Sequence, residues 1–230
     1  MINLFMENNP VINELIQFII SAGNDLANKS GKVEDIGVKK QWLTEEDLRI
    51  EREIKRIVTR DGDSFFAEEE NDNFIDDGSV WVVDPISGTK LFIEGKPNFA
   101  IVASHLKNGK VDFAVVNNPT AQKLYLAEAQ QGVSINGKPL EAPNNNDDTG
   151  RIIFHASTQG SWNSGQIDEL RKQLSEKYQV FPSQGSCAYN YCLVVQGEFD
   201  GVVSLTKDSF PEFAGCFIAN MTGGVLKQQI

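Results

Sequence analysis

Histidine is scarce: the 230-residue chain has two, His105 and His155, too little for a histidine-rich zinc site or a histidine-based triad. Any metal chemistry would therefore be oxygen chemistry. Cysteine is nearly as scarce. Cys187, Cys192 and Cys216 form an odd set with no C-x-x-C pair, lie in apolar helix-like stretches and read as reduced core thiols. No Lys/Arg stripe occurs, and 21 basic against 32 acidic residues give a net charge of −11, which argues against a nucleic-acid or anionic-membrane partner. Long apolar runs are missing too. Val11 to Ile20 is broken by Asn13, Glu14 and Gln17 and has no basic flank, so the expectation is neither signal peptide nor membrane span, and a cytoplasmic protein.

What is present is ordinary globular material, 40% hydrophobic and 23% charged, enough for one large domain or two joined halves. Asn9-Pro10 signals a helix start, and Ile12, Leu15, Ile16, Ile19 and Ile20 follow at one-face spacing. A second helix starts at Thr44 with Asp47 in capping-box position and Ile50, Ile54, Ile57 and Val58 along one side. Strands are expected at 80–83, 99–103, 111–116 and 124–127, with a tight turn at Asn136-Gly137. The Pro-, Asn- and Asp-rich stretch 142–150 separates an N-terminal half, 1–141, from a C-terminal half, 151–230, in what reads as one compact unit. The second half predicts a strand at 151–156, helices at 166–178 and 186–195, a short strand at 202–203 and a last helix stopped by Gly223-Gly224. This mixture indicates an α/β fold, α+β in its layering.

The sharpest local feature is Asp84-Pro85-Ile86-Ser87-Gly88-Thr89, directly after the strand expected to end at Val83. A carboxylate held there suits a hard cation, and Glu68-Glu69-Glu70 upstream offers further oxygen ligands of the kind Mg2+ takes beside water and substrate phosphate. Each piece has a plainer reading. Asp-Pro-x-x-Gly is also a turn, the glutamates a solvated loop, Asp47 a helix cap, Thr89 an ST-turn, and Gly185-Ser186 either an anion-binding helix start or only an N-cap.

Taken in order, the segments resemble the inositol monophosphatase superfamily of Mg2+-dependent, lithium-sensitive phosphomonoesterases. The resemblance is carried by Asp47, by Ala67-Glu68-Glu69, by Trp81-Val82-Val83-Asp84-Pro85-Ile86-Ser87-Gly88-Thr89, by Gly185-Ser186, by Phe210-Pro211-Glu212-Phe213-Ala214-Gly215 and by Gly223-Gly224. It implies alternating helix and sheet layers, here shortened at the C-terminus, and hydrolysis of a small phosphorylated metabolite such as an inositol phosphate. The first metal would be held by Glu68, Asp84 and the Ile86 carbonyl. Glu68 and Thr89, supported by Asp47, would orient the attacking water, and Gly88, Thr89, Gly185 and Ser186 would hold the substrate.

The departures concern the second metal. The family adds two aspartates to the one at Asp84, and this chain has Ser87 and Pro211 in their places, with Glu212 one residue away. One Mg2+ site, an incomplete second and reduced turnover are the expectation, and whether the chain is an enzyme at all is left open. Two rival readings stand beside it. Gly88-Thr89-Lys90 followed by Phe92-Ile93 resembles the 3'-phosphoadenosine-5'-phosphate phosphatases, and the retained scaffold would also suit a non-catalytic paralogue that binds a phosphorylated ligand or a partner. The resemblance leaves a homodimer open.

Overall fold

A computed structural model describes residues 9–38, 42–69, 78–140, 150–156, 162–206 and 212–225. Two helices come first, α1 (Pro10–Lys29) and α2 (Glu45–Val58). Asn9 starts α1 by accepting from the backbone N–H groups of Val11 and Ile12, and Pro10 costs nothing at a first-turn position whose N–H has no helical partner. Thr44 and Asp47 close the expected capping box on α2.

A seven-stranded sheet follows in sequence order: β1 (Ser64–Ala67), β2 (Ser79–Ser87), β3 (Ala100–Lys107), β4 (Lys110–Asn118), β5 (Lys123–Glu128), β6 (Gly132–Ile135) and β7 (Lys138–Pro139). β1 runs parallel to β2 and every later neighbour is antiparallel. The short helix α3 (Thr89–Ile93) lies between β2 and β3. The C-terminal half contributes β8 (Arg151–Ala156), α4 (Ser164–Ser175), β9 (Gln179–Pro182), α5 (Cys187–Val195), β10 (Gly201–Leu205) and α6 (Glu212–Met221). Its strands form a parallel sheet in the order β10-β8-β9.

Strand alternation explains the layers, because successive side chains leave opposite faces of a sheet. Trp81, Val83, Ile101, Ala103 and Val115 point to one face and pack with Leu15, Ile16 and Ile19 of α1 and Ile50 and Ile54 of α2. Ala100, Val102, Ala114, Val116 and Tyr125 point to the other, against Ala188, Tyr189 and Cys192 of α5, Ala214 and Ile218 of α6, and Ile153 of β8. Helix pair, large sheet, helix pair and small sheet are thus stacked. Arg171 of α4 lies over the Phe154 ring on the small sheet. No helix among the described residues is long and apolar enough to cross a membrane.

Several expectations need correction. β2 does not end at Val83: it runs through Pro85 to Ser87, with a register shift between Asp84 and Ser87, and the chain turns only at Gly88, whose φ is 87°. Pro85 is tolerated because the irregularity relieves the ladder of a donor there. The Gly88-Thr89 turn leads into α3, a helix the sequence reading did not include. The helix expected at 166–178 covers Ser164–Ser175, started by an Asn163–Gln166 capping box. The boundary at 142–150 lies outside the described residues except for Gly150.

Candidate active site

Parallel pairing of β1 with β2 builds the centre of the site. Ala67 stands opposite Val83, so the next residues along the two chains, Glu68 and Asp84, are brought side by side at the same end of the ladder. Asp84 is buried and Glu68 is exposed. Burial pushes the Asp84 carboxyl well above the usual carboxylate range, and the Glu68 charge pushes it further. The Ser87 hydroxyl works against both by hydrogen bonding to it. Asp84 Oδ1 is a buried oxygen with no hydrogen-bond partner among the described residues.

Asp47 approaches from α2. Its Oδ2 accepts from the Thr44 backbone N–H at 2.8 Å and from the Thr44 hydroxyl at 2.6 Å. Its Oδ1 lies 3.3 Å from Thr89 Oγ1, whose single O–H has the closer Ile86 carbonyl, at 2.8 Å, as its alternative acceptor. Desolvation carries Asp47 up to about 7 despite the Thr44 and Thr89 hydrogen bonds, and the Glu68 charge adds to the rise. Thr89 therefore links a carboxyl that titrates near neutrality to the backbone of the Asp84 segment.

Gly88 and Ser186 close the other side. A Cβ built on Gly88 would lie 3.6 Å from the Ser186 Cβ, which places the β2–α3 turn against the start of α5. Ser186 caps α5 by accepting from the Tyr189 N–H at 3.2 Å. Asn98, which sequence reading passed over, positions this helix start. Its carbonyl accepts from the Ser186 N–H at 2.8 Å, its Nδ2 donates to the Gln184 carbonyl at 2.8 Å, and it adopts φ 70°. The Pro97-Asn98 pair was the available signal, since Asn tolerates left-handed backbone better than most residues.

The structure thus brings together Asp47, Glu68, Asp84, Ile86, Ser87, Gly88, Thr89, Gly185 and Ser186. Glu70 and Pro211 lie outside the described residues. Glu212 is committed elsewhere. Its Oε1 accepts from Ser204 at 2.5 Å and Thr206 at 2.8 Å, and its Oε2 accepts from Tyr191 at 2.9 Å.

The donor set fits one hard divalent cation. A buried carboxylate oxygen without a hydrogen-bond partner among the described residues, a second carboxylate beside it and the Ile86 carbonyl, which accepts from Thr89, are oxygens of the kind such an ion takes, with water filling the remainder. Among the described residues no group of three or more His, Cys, Asp or Glu is arranged to hold a metal. A cation here would accordingly rest on the Glu68–Asp84 pair, a carbonyl, water and substrate oxygens.

Comparison with known proteins agrees with the architecture. The model of the inositol monophosphatase family matches residues 7–228. Inositol-1-monophosphatase of Rhizobium meliloti is 28% identical over 228 residues, covering 95% of this chain and 85% of the relative. The crystal structure of the extragenic suppressor protein suhB of Bartonella henselae superposes with a TM-score of 0.78 at 22% identity, covering 94% of this chain and 86% of that one. An IMPase/NADP phosphatase complexed with Mg2+ and phosphate gives a TM-score of 0.76 at 19% identity, covering 92% and 80%. The likeness to these two structures is one of fold.

Proposed function

The chain belongs to the inositol monophosphatase family, and from that premise we propose that it hydrolyses a small phosphate monoester of the inositol-phosphate kind, with Mg2+ held by Glu68, Asp84 and the Ile86 carbonyl. The observation that carries the reading is the Glu68–Asp84 pair at the ends of two parallel strands, with Asp84 Oδ1 buried and without a hydrogen-bond partner among the described residues. A bound divalent ion supplies positive charge against the phosphate oxygens and makes water more acidic.

The chain's own residues do the rest. The N-terminus of α5 at Ser186, beside Gly88, offers backbone N–H groups and a favourable dipole to an anionic phosphate. Thr89, held between Asp47 Oδ1 and the Ile86 carbonyl, orients the attacking water together with Glu68. Asp47 holds the Thr89 hydroxyl in place from the α2 side.

Turnover is slow in this reading. Ser87 replaces a carboxylate with a hydroxyl that serves Asp84, Pro211 has no side-chain ligand, and Glu212 is held by three hydroxyls. Phosphate release from inositol 1-phosphate over a Mg2+ titration tests the assignment. Asp84→Asn and Glu68→Gln should each lower turnover by at least about a hundredfold, the scale of losing an electrostatic group that acts on the transition state. Turnover in Asp84→Asn equal to that of the native chain would remove the proposed site.

A further inference from the structure

β1 is the short edge strand of the large sheet, four residues paired with β2 alone among the described residues, yet it carries Glu68 to the site. An edge strand has a ladder on one side only, so its position depends on what holds its ends. At the start, Asp63 Oδ2 accepts from the Trp81 indole N–H at 3.2 Å. At the end, Glu51 Oε2 accepts from the Glu69 backbone N–H at 3.2 Å. Glu68 thus stands between Ala67, fixed opposite Val83, and Glu69, fixed to α2.

The place of Glu51 is unusual. It lies on α2 one turn after Asp47, in sequence between the core residues Ile50 and Ile54, and is fully buried. A carboxyl there carries a desolvation cost that an apolar side chain of similar size would not, so core packing gives no reason for it. It does supply an acceptor for the backbone N–H next to Glu68. Resting on the phosphatase reading above, we propose that Glu51 is a positioning residue, which ties the chain after β1 to α2 and so fixes the Glu68 backbone beside Asp84 before a cation arrives. One helix then sets both Asp47, which reaches Thr89, and Glu68.

Two replacements in the full chain test this. Glu51→Met removes the acceptor at similar volume, a change that cores tolerate, and Glu51→Gln keeps an amide oxygen that can accept in its place. In the metal-free protein, amide hydrogen exchange followed by NMR should show the Glu69 N–H exchanging at least about tenfold faster in Glu51→Met than in the native chain, and little changed in Glu51→Gln. Calorimetric titration with Mg2+ should show affinity about tenfold weaker in Glu51→Met, the scale on which groups that support a metal ligand act, and within about threefold of native in Glu51→Gln. The half-saturating Mg2+ for phosphate release should move more than kcat does. Ile54→Val, a loss of core packing on the same helix, should leave Mg2+ affinity unchanged. Equal Glu69 exchange in the native and Glu51→Met chains would overturn the proposal, as would Mg2+ affinity that falls equally in the Met and Gln variants. Faster Glu69 exchange in Glu51→Met, in a protein whose native form binds no Mg2+, would uphold the Glu51 tie while removing the cation reading, so the two failures are distinguishable.

Discussion

Asp47 shows how much one side chain carries. It closes the α2 capping box and reaches Thr89 with its other oxygen, and burial raises it to about 7. In the unfolded chain the same carboxyl titrates near the ordinary 3.8, so between these values the folded protein holds a proton that the unfolded chain has released. Its contribution to stability is present in full below the unfolded value and is lost as pH rises through about 7. Asp84, raised by burial and by Glu68, acts in the same direction. His155, which burial holds below the usual imidazole value, acts in the opposite one. The metal-free Asp47→Asn variant isolates the Asp47 share. Urea midpoints measured from about pH 5 to pH 8 should fall less with rising pH in the variant than in the native protein. Parallel pH profiles would show that Asp47 does not titrate in that window.

At the scale of elements, the site depends on how the start of α5 meets the segment around Asn98. A Cβ on Gly185 would lie 2.5 Å from the Asn98 Cβ and 2.6 Å from the Asn98 carbonyl oxygen, too close without backbone movement. Gly185→Ala should therefore cost about 1–3 kcal/mol and raise KM for phosphate esters by shifting the start of α5 away from Gly88. Gly62→Ala is the contrasting case. Gly62 has φ 90° with nothing near its Cβ position, so a comparable loss of stability should leave KM unchanged. Denaturant titration beside steady-state kinetics separates the two, and equal KM values would detach the Gly185 contact from the site.

Elements with a local signal were legible in the sequence. The Thr44 capping box, the Asn9-Pro10 start and the Asp84–Thr89 segment announced themselves within a few residues. β1 did not, because Ser-Phe-Phe-Ala is four residues long and is mostly half-buried, with no alternation to read. Its parallel pairing with β2, Ser64 opposite Val80 to Ala67 opposite Val83, is marked by no local motif, and it is that pairing which places Glu68 beside Asp84. Glu212 was equally opaque, since its hydroxyl partners come from α5, β10 and the residue after β10.

On the proposed reading, the molecule as a whole is a family scaffold that keeps the residues around one cation position and has Ser87 and Pro211 where the other would need carboxylates. The most direct measurement is phosphate release by Ser87→Asp with Pro211→Asp, beside the native chain, over a Mg2+ titration. If the missing ion would contribute about 4 kcal/mol of transition-state stabilisation, the double variant should gain up to about a thousandfold in turnover and show a second, weaker Mg2+ dependence. Brisk native turnover that the double variant does not improve would contradict the account, because it would mean that the native chain already completes the second half of the site.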